Sequence, residues 1–156
     1  MPEVRAYLMI AAAVTLAGCR PKASVPDGDV AAMLTAPSLG MHAFDPQSLK
    51  GKPSLVMFVS PTCHHCIKEM PIAAAVAKDA GANAVAVFIA GRAANAEDAA
   101  RRFGGVALID NGTLRDRFNV TAVPYTVVLD ATGHATDAFI GEQDASTLAS
   151  ALADAR

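Results

Sequence analysis

The chain alternates short apolar runs with stretches whose apolar residues recur at helical spacing. Ser54 to Ser60, SLVMFVS, is rich in β-formers and predicts a buried strand. It leads into Cys63 to Lys78, where Ile67, Met70, Ala74 and Ala77 share one helical face. Ala84 to Ala90, AVAVFIA, predicts a second buried strand. Asn95 then offers a helix N-cap, with Glu97 and Asp98 in a first turn that suits negative charge and Gly104 at the end. Val106 to Asp110 reads as a short strand closing at an Asn111-Gly112 turn, and Leu114 to Phe118 as a brief helical turn. Tyr125 to Asp130 and Ala135 to Gly141 form two β runs joined by Ala131-Thr132-Gly133, a hairpin signature. Asp144 caps a last helix with Leu148, Ala151, Leu152 and Ala155 on one face. An early βαβ unit followed by a hairpin predicts an α/β domain whose central mixed β-sheet is flanked by helices on both faces.

Residues before this pattern behave differently. Arg5 precedes a run of apolar residues from Ala6 to Ala17, too short for a permanent membrane span of about 20 residues. Residues 1–18 therefore read as an export signal. Leu16-Ala17-Gly18-Cys19 resembles the bacterial lipoprotein signal, in which the cysteine carries lipid; an ordinary signal peptide with Cys19 incidental is the alternative. Residues 19–38, rich in Pro, Ala and small polar residues, read as a flexible tether, and residues 39–156 as the domain.

The chain is 53% hydrophobic with 13 basic and 15 acidic residues, enough for one domain with a real core. A formal charge of -2 with no basic stripe excludes nucleic acid as the expected partner. Of three cysteines, a lipidated Cys19 would leave Cys63 and Cys66 to pair. An exported compartment permits that disulfide.

Those two cysteines lie in Pro61 to Pro71, PTCHHCIKEMP. A Cys-X-X-Cys after a strand and at a helix start puts the first sulfur beside unpaired N–H groups and the positive end of the helix dipole. Both favour a thiolate, so Cys63 is the candidate nucleophile. Cys66, one turn in, is placed to attack a mixed disulfide at Cys63 and release the product. His64 and His65 between them are positioned to tune the pair, since positive charge near the thiolate favours the dithiol and makes the disulfide more oxidising. Zinc would need four ligands, which the chain does not offer at conventional spacing. Copper binding by the two sulfurs and a histidine is chemically reasonable. A purely structural disulfide would close too small a loop to stabilise much.

GKPSLVMFVSPTCHHCIKEMP, together with NVTAVPYTVVLDATGHATDAFIG, resembles the thioredoxin superfamily, and within it the membrane-anchored, periplasm-facing TlpA/ResA-like thiol-disulfide oxidoreductases. The match runs from about Gly51 to the C-terminus. It implies a thioredoxin fold with no cofactor beyond the redox-active Cys63–Cys66 disulfide and no metal. It further implies a cis Pro124 beside the cysteines, with the backbone of Val123 holding a client strand. Pro71 is expected to kink the active-site helix. Glu69 is expected near the redox pair as the acid/base for the resolving thiol. The departures are Met57, where many thioredoxins carry a buried acid, Val59 and Thr62 in place of flanking tryptophans, and an N-terminal hairpin shortened into Leu39 to Lys50.

The resemblance implies exported cysteine-containing clients, a membrane thiol-disulfide donor or acceptor, and lipid anchorage to a membrane facing the periplasm. Subfamily pattern favours a reductant in protein or cytochrome c maturation. His65, which matches a histidine of the strongly oxidising DsbA-type proteins, favours the reverse direction, and a copper chaperone using the same sulfurs is the rival from another class.

Overall fold

The computed structural model describes residues 22–156; the signal-like segment, Cys19 and the first two residues after it lie outside the described residues. β1 (Ser54–Val59) and β2 (Asn83–Phe88) pair in parallel across α2 (His64–Asp79), and α3 (Ala93–Phe103) carries the chain to β3 (Val106–Ile109), parallel to β2. After α4 (Thr113–Arg117), β4 (Tyr125–Leu129) lies antiparallel to β1 and β5 (Ala135–Ile140) antiparallel to β4. The result is a five-stranded mixed sheet in the order β3-β2-β1-β4-β5, closed by α5 (Ala145–Asp154). This is the expected thioredoxin fold. Among the described residues no helix is long and apolar enough to cross a membrane.

The central strands β1 and β4 are buried on both faces, as strands with no polar alternation must be. On one face, Leu55, Met57 and Val59 of β1 pack under Cys66, Met70, Ala73 and Ala77 of α2, with α3 and α5 alongside. The buried face of α2 is thus rotated from the Ile67/Met70/Ala74/Ala77 stripe that spacing suggested, and Ile67 is exposed. The helix continues through Pro71, which has no N–H to give the Ile67 carbonyl. α3 starts earlier than expected. Arg92, extended and without a side-chain cap bond, occupies the N-cap position, and Asn95 lies inside the helix with its N–H on the Arg92 carbonyl. Gly104 ends α3 in the left-handed conformation, and Asp144 caps α5 by accepting from the Thr147 N–H at 2.8 Å, both as expected.

The other face corrects the reading of a flexible tether over residues 19–38 for its described part, 22–38. Val56 and Phe58 of β1, Val85 and Val87 of β2 and Val127 and Leu129 of β4 need cover, and the five-residue α4 is too short to supply it. From residue 22 onward the supposed tether does so. α1 (Val30–Met33) and Leu34 bury Val30, Ala31 and Leu34 against these strands. The same segment covers both edges of the sheet. Lys22 bridges Phe139 on β5, with the Ala23 N–H on the Ala138 carbonyl at 3.0 Å; Ser38 bridges Leu108 on β3, with the Ile109 N–H on the Pro37 carbonyl at 2.9 Å. A strap therefore runs from one sheet edge to the other, satisfying backbone groups that would otherwise be open to pairing with another chain. Composition alone hides this, because the strap is fixed by tertiary contacts and not by its own periodicity.

The shortened hairpin expected in Leu39 to Lys50 is likewise absent. That stretch holds a 3-10 turn, Pro46–Leu49, capped by Asp45, with Leu49 buried. Proline at its first position favours a turn over a ladder strand.

Candidate active site

β1 ends at Val59, and a turn closed by the Cys63 N–H on the Ser60 carbonyl at 3.1 Å delivers the chain to α2. Pro61 in this turn lies against Gly91, which has φ +94° and no room for a side chain: a Cβ there would come within 2.6 Å of the proline ring. Cys63 is the N-cap of α2. Its Sγ accepts from the Cys66 N–H at 3.2 Å, so the first sulfur sits on the unpaired N–H groups of the helix start. Cys63 and Cys66 are joined as a disulfide with Cα atoms 5.2 Å apart. Cys63 is half-buried and Cys66 fully buried, an asymmetry that suits attack at the first sulfur and resolution by the second.

The Val123-Pro124 peptide is cis, as the resemblance implied, and the Val123 carbonyl oxygen lies 3.9 Å from Cys63 Sγ. The loop is held from behind by the Gly141 N–H, which donates to the Pro124 carbonyl at 2.8 Å. Val123, Pro124, His65, Ile72, Glu142 and Gln143 line one groove beside the disulfide.

Glu69, one turn beyond Cys66, is fully buried. Oε1 accepts from Thr126 Oγ1 at 3.1 Å and Oε2 from the Gln143 N–H at 3.0 Å. Burial pushes its pKa up to about 7; the two hydrogen bonds pull the other way, and nearby Glu142 adds to the rise. Thr126 is the cross-strand partner of Met57. The strand position where many thioredoxins place an acid is therefore apolar here, and a carboxylate arrives beside it from the helix.

His64 and His65 are both exposed, with ring centroids 6.0 Å apart. His65 Nδ1 lies 2.6 Å from Glu142 Oε2, and Lys68 Nζ lies 2.7 Å from Glu142 Oε1. The cysteines, both histidines, Glu69, Val123 and Pro124, which the sequence singles out, gather at one end of the sheet. Thr126, Glu142, Gln143 and Lys68, which it does not single out, join them there. Lys68 and Glu142 are 74 positions apart, Glu69 and Thr126 are 57 apart, and no local pattern links either pair. Among the described residues no three of His, Cys, Asp and Glu gather into a group able to hold a metal ion.

A family model described as a thioredoxin-like domain matches residues 42–156. The methylamine utilization protein MauD of Methylobacillus flagellatus is 33% identical over 84 residues, a stretch covering 53% of this chain and 41% of that protein. A secreted Mycobacterium tuberculosis disulfide oxidoreductase, described as homologous to E. coli DsbE, superposes with TM-score 0.71 at 26% identity, over 81% of this chain and 99% of that one. The MTB dsbF structure, in mixed oxidized and reduced forms, superposes with TM-score 0.72 at 24% identity, over 85% and 100%.

Proposed function

This chain belongs to the thioredoxin-like family, and on that premise we propose that it is a thiol-disulfide oxidoreductase that reduces exported cysteine-containing proteins during their maturation. One observation carries the reading: a disulfide whose first sulfur caps a helix, 3.9 Å from the carbonyl before a cis-proline, with an exposed groove alongside. The groove suits an extended client segment whose backbone pairs with Val123.

In the reducing direction, the Cys63 thiolate attacks one sulfur of a client disulfide. The client S–S bond breaks, a Cys63–client mixed disulfide forms, and the departing client thiolate takes up a proton. Cys66 then gives its proton to a base and attacks Cys63 Sγ, which breaks the mixed disulfide, releases the second client thiol and closes Cys63–Cys66. Two electrons and two protons pass to the client. Glu69, with a pKa near 7, is placed on the same helix, one turn from Cys66, to take that proton at neutral pH. A membrane dithiol then reduces Cys63–Cys66 for the next cycle.

Subfamily pattern supports the choice of reductant; His65, whose match to a DsbA-type histidine points the other way, has its ring engaged by Glu142. We place the domain at a membrane, facing the periplasm and anchored through a lipid on Cys19; the apolar run before that cysteine supports this. Cytochrome c maturation is the leading client process by resemblance.

Equilibration of the purified protein with glutathione tests the reading. A potential near thioredoxin's, about −270 mV, supports the reductant, and one near about −120 mV makes the protein an oxidant. A Cys63–Cys66 pair that exchanges with neither glutathione nor a model disulfide peptide ends the enzyme reading.

A further inference from the structure

Glu142 lies on the segment that follows β5, far in sequence from the cysteines, yet its backbone is tied to the site on both sides. The Gly141 N–H donates to the Pro124 carbonyl at 2.8 Å, the Gln143 N–H donates to Glu69 Oε2 at 3.0 Å, and Gln143 Nε2 donates to the Gly141 carbonyl at 2.8 Å. A carboxylate mounted on so fixed a segment is presented in a defined place. Its two oxygens face two side chains of α2, His65 Nδ1 at 2.6 Å and Lys68 Nζ at 2.7 Å. Lys68 first, and His65 after it, hold the Glu142 carboxyl below its ordinary range, so the group is ionised wherever the enzyme works.

We propose that Glu142 is a positioning residue that biases the Cys63–Cys66 pair toward the disulfide by holding the His65 ring on the β5–α5 segment. The proposal rests on the oxidoreductase reading and assigns a function to a residue outside the Cys-X-X-Cys stretch. A histidine immediately before Cys66 favours the dithiol when its positive charge acts on the Cys63 thiolate. Here the imidazole is bonded to a carboxylate, which fixes the ring and sets a negative charge beside it at short range. The thiolate gains less, and the reduced form gives up its electrons more readily. The other charged groups around the cluster are His64, whose ring centroid is 6.0 Å from that of His65, buried Glu69, and Asp144 in the same segment. Lys68 is part of the device: by pairing with the second oxygen it keeps the carboxylate charged.

The test is the thiol-disulfide equilibrium of the full protein with glutathione, in four forms: wild type, Glu142→Gln, His65→Ala and the double variant. Glu142→Gln is expected to move the equilibrium about tenfold toward the dithiol, about 30 mV for a two-electron couple. It should also lower the pH at which Cys63 of the reduced protein is alkylated. In the His65→Ala background the same substitution should move the equilibrium less than twofold. The inference is overturned if Glu142→Gln leaves the wild-type equilibrium within twofold, or if its effect is as large without His65. A wild type that does not equilibrate with glutathione overturns the oxidoreductase reading itself, and this inference with it.

Discussion

Glu69 Oε1 accepts a hydrogen bond from Thr126 Oγ1 across 3.1 Å, in an interior that shields both groups from water. This pair ties the Glu69 carboxyl of α2, one turn beyond the resolving cysteine, to β4. A protonated carboxyl keeps both of its bonds there without the cost of a buried charge.

The raised pKa of Glu69 predicts a pH dependence of stability with a definite sign. The folded-state pKa, about 7, lies above the ordinary 4.5, so the folded state holds the proton more tightly than the unfolded chain. Its contribution is fully present below about pH 4.5 and is lost as pH rises through about 7, a change on the order of 3 kcal/mol. Glu69→Gln, which copies the protonated form, should remove most of this slope. Urea midpoints of the oxidised protein at pH 5 and pH 8, with and without the substitution, measure it. The same variant should slow resolution of a preformed mixed disulfide by about 10- to 100-fold at neutral pH.

The unequal burial of the two cysteines predicts that they fail differently. Cys66→Ser should leave Cys63 able to attack but not to be released, so mixed disulfides with clients accumulate. Cys63→Ser should capture none. Non-reducing electrophoresis followed by mass spectrometry of the trapped species distinguishes the two, and would identify the clients.

Leu34 lies in the strap and is completely buried. Leu34→Ala should therefore cost about 2–5 kcal/mol, as a core truncation does. A flexible tether would give a change within about 0.5 kcal/mol. Denaturant unfolding of the protein decides between them.

Gly91→Ala should act on the active-site turn from a distance. A methyl group at φ +94° is strained, at about 1–3 kcal/mol, and it would press on the Pro61 ring that precedes the cysteines. The expected result is a lower Tm together with a slower attack by Cys63. A stability loss with unchanged exchange kinetics would show that the turn absorbs the push.

What the sequence made legible follows from how local each signal is. Strands and the last helix were readable because continuous apolar runs, a hairpin turn and the Asp144 cap are written in neighbouring residues. Cys63, Cys66, Val123 and Pro124 were readable because a Cys-X-X-Cys and a Val-Pro each lie within one short stretch. The start of α3 was misplaced because Asn95, a good cap by type, sits within a segment whose alanines already favour helix from Ala93. Glu69 was found by its offset from Cys66, but its burial comes from Thr126 and Gln143, supplied by β4 and the segment after β5. The His65–Glu142 contact spans 77 positions and left no trace in either neighbourhood.

The strap changes what an anchor would mean. Its first paired residue among those described is Lys22, so a lipid on Cys19 would be separated from that pairing by three residue steps, at most about 10 Å of chain. A free tether over residues 19–38 would have averaged roughly 25 Å and let the domain sweep a hemisphere. On so short a leash a lipid-anchored enzyme would graze the bilayer. Clients and electron partners would then meet the disulfide by sliding along the membrane plane, and lengthening the leash, without touching any active-site residue, would alter which of them it serves.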